Sequence, residues 1–209
     1  MIVVKIGGSL IGSARELVRS LQEYALNERE RIVIVPGGSV FADAVRSADD
    51  SYGISEATAH WMAILAMDQY GHYLADGTLT TLITGLTEIE STPIGTSIIL
   101  TYDLLKKSDT GIEETWNATS DTIAGWIASE LDATLIKATD VDGVFRDGLL
   151  LSMITAEELL KMGKTCVDSV LPELLLLRSL DCRVVNGRHH DRVIDALRGG
   201  SVGTLITGR

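Results

Sequence analysis

The sequence predicts an α/β fold, a three-layer αβα sandwich around a mainly parallel central sheet. Three observations lead there. Seven apolar, β-branched runs bounded by turn residues are separated, for the most part, by segments of helical period. Several runs, IVIVP and ATLIKAT among them, are apolar at almost every residue, as strands covered by helices on both faces must be. No Pro-rich, Gly/Ser-rich or charge-block linker interrupts the 209 residues, so one domain spanning 1–209 is expected.

The first run, Ile2–Ile6, contains Lys5, the only lysine in the first 105 residues. An ammonium inside an apolar strand is costly without an anionic partner, so something negative is expected to meet it. Gly7-Gly8-Ser9 follows, a turn that lets backbone N–H groups approach an oxygen-rich ligand. A strand-end lysine reaching solvent accounts for this segment equally well. Ser13 then opens a helix to about Asn27.

The second run, Arg31–Val35, ends in Pro36-Gly37-Gly38-Ser39 before a helix over about 40–47. One such turn is ordinary; two Gly pairs after consecutive strands suggest facing backbone walls around one ligand. A longer helix is expected over 55–75, with His60 and Trp61 within it, either packed in a core or dimer contact or reaching a ligand. Strands are expected at 79–84 and 97–100.

Thr119-Ser120-Asp121 begins a helix to about Leu131. Capping explains one of these side chains, and an aspartate left over could orient lysines by charge pairing. The next strand, 133–139, carries Lys137 near its end as the first strand carries Lys5, and an Asp142-Gly143 turn follows. Two strand-end lysines in a lysine-poor chain suggest a pair converging on a polyanion. Helices over 156–162 and 169–180, a strand at 182–186, a helix over 190–198 and a final strand at 204–207 complete the pattern.

Composition excludes some functions. A net charge of −11 disfavours a nucleic-acid partner, whose phosphates must be neutralised by Lys and Arg. The longest apolar runs fall far short of the roughly 20 residues of a membrane span, and the chain opens on a strand without a signal-like segment, so no membrane and a cytoplasmic location are expected. Cys166 and Cys182 form no CxxC pair, and His60, His72, His189 and His190 form no HExxH pattern, so no protein-held metal is expected.

Taken in order, VVKIGGSL, VIVPGGS, TSDTIA, LIKATDVDGVF and GSVGTLIT resemble the signature segments of the amino acid kinase family, from residue 2 to residue 207. The resemblance implies ATP as phosphoryl donor, with Mg2+ held mainly by the nucleotide phosphates. It implies that Lys5, Asp121 and Lys137 are catalytic and that Gly7, Gly8 and Ser9 bind the phosphoryl group. Gly37, Gly38, Thr119 and Ser120 would contact the acceptor, with His60 as a further candidate. Thr139, Asp142, Phe145 and Asp147 would hold the nucleotide. About 1–115 would bind the acceptor and about 116–209 ATP, within a homodimer or larger homo-oligomer.

The C-terminal third is most similar to uridylate kinases, which favours an acceptor already carrying a phosphate. The acceptor half departs from them, since Ser39 stands where a third glycine would follow Gly37-Gly38. Trp116-Asn117-Ala118 and the His60-Trp61 helix instead resemble the archaeal branch that phosphorylates a furanmethyl phosphate in methanofuran biosynthesis. A uridylate or isopentenyl phosphate-type kinase and a noncatalytic nucleotide or oxyanion binder of the same fold are the competing readings. A Rossmann dehydrogenase is disfavoured because Gly7-Gly8-Ser9-Leu10-Ile11-Gly12 breaks the GxGxxG spacing.

Overall fold

The computed structural model describes residues 1–209. Ten strands run in chain order as β1 (Ile2–Ile6), β2 (Arg31–Pro36), β3 (Thr81–Ile83), β4 (Gly95–Ile99), β5 (Thr134–Thr139), β6 (Phe145–Arg146), β7 (Leu149–Leu150), β8 (Met153–Thr155), β9 (Cys182–Asn186) and β10 (Thr204–Thr207). The helices are α1 (Ala14–Glu28), α2 (Ser39–Tyr52), α3 (Glu56–Ala75), α4 (Glu88–Ser91), α5 (Thr101–Lys107), α6 (Ser120–Glu130), α7 (Ala156–Lys161), α8 (Leu171–Arg178) and α9 (His190–Leu197). Every expected strand and helix is present. The elements beyond them, α4, α5 and β6 to β8, have two to seven residues, too short to show a period.

Eight strands form one sheet in the order β3-β4-β2-β1-β5-β9-β10-β8, parallel except where β10 runs against β9. The remaining two, β6 and β7, make a separate hairpin. Strand β1 is central, paired with β2 on one side and β5 on the other. Its alternate residues serve different layers. Val4 and Ile6 pack with Ile136, Leu17, Leu21 and Val193, the side of α1 and α9, whereas Val3 packs with Leu135, Ile123 and Ile127, the side of α6.

Lys5 and Lys137 lie on the α6 side, and the β1–β5 register sets them opposite one another. Helix α6 directs its N-terminus at this point because Thr119 supplies the cap, its Oγ1 accepting from the Asp121 backbone N–H. Capping is thus satisfied by Thr119, and the Asp121 carboxylate is left to the lysines. No helix is long and apolar enough to cross a membrane.

Candidate active site

Asp121 stands between the two lysines. Its Oδ1 lies 2.9 Å from Lys5 Nζ, and its Oδ2 accepts a hydrogen bond from Lys137. All three side chains are buried. The two ammonium groups are committed differently. Lys137 also donates to the Cys166 carbonyl oxygen, so it is tied on two sides. Lys5 pairs with Asp121 Oδ1 alone, which leaves the other protons of its ammonium for a ligand.

The protonation equilibria follow this asymmetry. Burial alone would raise the Asp121 pKa, but Lys137 and then Lys5 hold it well below the usual carboxylate range. Burial pushes the Lys5 ammonium below the usual lysine range, because Asp121 offsets only part of the desolvation and Lys137 repels it. Lys137 suffers the same desolvation, yet Asp121 outweighs it and raises the group. One carboxylate therefore serves two cations unequally, and Lys137 gains more.

Two glycine turns meet beside Lys5. Gly37 donates its N–H to the Ile6 carbonyl at 2.8 Å, and a Cβ there would come within 2.8 Å of the Gly8 nitrogen. A Cβ on Gly8 would collide with the Ser39 backbone. The absence of both side chains is what lets the turns stack. Ser39 has φ of 51°, in the left-handed region that a glycine would occupy without strain, and its Oγ donates to the Gly8 carbonyl at 3.1 Å.

A cavity of about 510 Å³ opens over these turns. Lys5, Gly8, Ser9, Gly38 and Ser39 form its polar end, and Ala63, Ile64 and Met67 of α3 with Ile123 supply an apolar side. Of the residues expected at the acceptor, Gly38, His60, Thr119 and Ser120 line it. Gly7 and Gly37 lie outside the lining: Gly7 packs against Ala138 and Thr139 at the end of β5, and Gly37 against the Gly8 turn. His60 Nδ1 is 3.1 Å from the Thr115 carbonyl oxygen, and its ring meets Trp61 edge-on.

A second cleft, about 440 Å³, is lined in part by Cys166, whose carbonyl accepts from Lys137. Phe145 and Asp147 of the hairpin line it with Gly143, Lys164, Thr165 and Cys166. Thr139 is buried at the end of β5. Asp142 accepts from Asn186 Nδ2 at 2.9 Å and from Arg192 Nη1 at 2.6 Å. Its carboxyl is held below the usual range by the Asn186 hydrogen bond first, and by Arg192 against a small desolvation.

Sequence reasoning missed Asp168. Its Oδ2 accepts from the Thr119 N–H (2.9 Å), the Thr119 hydroxyl (2.8 Å) and the Thr122 N–H (3.0 Å), and its Oδ1 from the Thr122 hydroxyl and the Leu171 N–H. Its own N–H donates to Asp121 Oδ2 at 3.1 Å. Asp168 thus fixes the start of α6, and with it Asp121. The only local signal was an aspartate three residues before the first turn of α8, which reads as a cap. Arg46 and Asp43 of α2, which also line the first cavity, were missed as well. Nothing in their sequence setting separates them from an exposed helix pair.

Comparison with known proteins places these features in a family. Residues 1–186 match the model of the amino acid kinase family. The chain is 40% identical to [5-(aminomethyl)furan-3-yl]methyl phosphate kinase of Methanocaldococcus jannaschii, covering all of this chain and 98% of that protein. It is 27% identical to a uridylate kinase of Thermofilum pendens over 98% of this chain and 96% of the other. Among solved structures, the uridylate kinase of Archaeoglobus fulgidus superposes with a TM-score of 0.74 at 19% identity, covering 99% and 100% of the two chains. The UMP kinase of Bacillus anthracis gives 0.77 at 14% identity over 99% and 95%. At such identities the two structures bear on the fold, which they share with this chain.

Proposed function

We propose that this chain, which belongs to the amino acid kinase family, transfers the γ-phosphoryl group of ATP to the phosphate of a phosphomonoester, giving a diphosphate. The acceptor in this reading is [5-(aminomethyl)furan-3-yl]methyl phosphate of methanofuran biosynthesis, on which the relative at 40% identity over the full length acts by its name. The observation that carries it is the buried Lys5–Asp121–Lys137 cluster, with Lys5 facing a preformed cavity.

Phosphoryl transfer asks chiefly for positioning and for charge where the transferring oxygens pass. The acceptor phosphate supplies its own nucleophilic oxygen, so no protein nucleophile is needed. Its other oxygens would meet the N–H groups of Gly8, Ser9, Gly38 and Ser39, at the positive N-terminal end of α2. Lys5, with protons uncommitted to Asp121, would stabilise the group in transit. Asp121 keeps both lysines charged and aimed, and Lys137, tied to Asp121 and the Cys166 carbonyl, holds that carboxylate in place.

The nucleotide would lie on the side of Thr139, Asp142, Phe145 and Asp147, so that about 1–115 bind the acceptor and about 116–209 ATP. In this reading magnesium needs no protein cage, and the Asp121 oxygens serve the lysines. The ion would arrive on the nucleotide phosphates, whose charge it neutralises. A cytoplasmic homodimer or larger homo-oligomer belongs to the same reading.

The test is incubation with Mg-ATP and a panel of the furanmethyl phosphate, UMP, isopentenyl phosphate, carbamate and carboxylates, following ADP and the new diphosphate by phosphorus NMR. The furanmethyl phosphate is expected to turn over fastest. Preference for UMP would replace it with a uridylate kinase reading. Tight nucleotide retention without turnover of any acceptor would replace the kinase reading with a binding protein.

A further inference from the structure

We infer that Asp43 selects acceptors that carry an ammonium group as well as a phosphate. The inference rests on the phosphomonoester reading above and concerns the far end of the same cavity. Asp43 is the only carboxylate among the residues that line it. Ser39, Asp43 and Arg46 recur at intervals of four and three residues, so they share one face of α2, and all three line the cavity. If the acceptor phosphate sits at the N-terminus of α2, Asp43 stands roughly 6 Å further along the helix, at 1.5 Å per residue. That span fits a small ring bearing a phosphate on one arm and an amine on another.

The carboxylate is oriented but not consumed. Arg46 Nη1 donates to Asp43 Oδ1 at 2.8 Å, and no hydrogen bond engages Oδ2. Arg46 is itself held over the Trp116 ring, 5.1 Å from its centroid, and the Trp116 indole N–H donates to Asp49 Oδ2 at 3.0 Å. A chain of contacts from Asp49 through Trp116 and Arg46 thus positions one oxygen of Asp43 and leaves the other for a cation. The pair is more than half exposed, so re-pairing with a ligand costs little. An uncharged acceptor of the same shape would leave Asp43 with Arg46 and water alone, whereas an ammonium forms a charge-assisted hydrogen bond as it displaces that water.

The experiment compares kcat/KM for the aminomethyl furanmethyl phosphate and its hydroxymethyl counterpart, in the wild type, Asp43→Asn and Asp43→Glu. The wild type should favour the amine about fivefold, the upper end of what an exposed ion pair contributes. Asp43→Asn should bring the two within about twofold, Asp43→Glu should keep the preference, and the wild-type preference should fade as pH rises through the pKa of the acceptor amine. A ratio unchanged in Asp43→Asn, or no preference in the wild type, overturns the inference and leaves the phosphomonoester reading standing. Failure of both acceptors while another phosphomonoester turns over overturns the choice of acceptor and the inference with it.

Discussion

The two clefts beside the paired lysines are built in different ways. On the Lys5 side the walls are rigid: two glycine turns stacked backbone on backbone, the start of α2, and apolar residues of α3. In the other cleft, where the Cys166 carbonyl takes the Lys137 hydrogen bond, the walls come from a hairpin with two-residue strands and a loop. Phe145, Leu149 and Leu150 of that hairpin are exposed, and the charges nearby, Asp142 with Arg192 and Asp140 with Arg188, pair at the surface. A cavity held by close packing can discriminate by shape. A cleft walled by a short, exposed hairpin and a loop is less fixed in shape.

The sharpest way to break this contrast is at the carboxylate both sides share. Asp121→Ala leaves two buried ammonium groups without a counter-charge and is expected to cost about 3–5 kcal/mol in urea unfolding. The wild type has a matching acid sensitivity. The folded Asp121 pKa is depressed below the ordinary 3.8, so its stabilisation is complete above that pH and is lost as pH falls toward the folded value. An acid titration of stability no steeper in the wild type than in Asp121→Asn would contradict the pairing.

Next in size is Lys5→Ala, expected to lower turnover by roughly 10²–10³-fold, the scale of losing one preorganised donor to developing charge. Undiminished ADP release by the folded variant would remove Lys5 from the chemistry. Gly8→Ala probes the packed side. A methyl against the Ser39 backbone should cost about 1–3 kcal/mol, read as a lower thermal midpoint. Arg192→Ala probes the open side, where an exposed pair is expected to contribute less than about 1 kcal/mol. A larger stability loss in Arg192→Ala than in Gly8→Ala would reverse the comparison.

The same contrast explains what could be read in the sequence. Strands β1, β2 and β5 were legible because burial on both faces leaves continuous apolar runs, and the two lysines were legible because they violate those runs. Their facing positions were anticipated as a convergence; the register that produces it came from the sheet. Strands β6 to β8 are too short and exposed to leave a pattern. Asp168 was illegible for another reason: its most informative partners, Thr119 and Thr122, lie more than forty residues away. Gly37 was assigned to the acceptor because a glycine required by a ligand and one required by a neighbouring turn look alike in one dimension.

The in-register lysines also bear on how faithfully the chain folds. Strand β1 is buried throughout, so sliding it by one residue against β5 would still bury apolar side chains on both faces. That slip would turn Lys5 toward the layer of α1 and α9, away from Asp121. The ion cluster therefore penalises a misalignment to which the greasy residues around it are indifferent. Replacing Lys5 by Met should relax that penalty, and amide hydrogen exchange along β1 would report the loss as faster exchange than in the wild type.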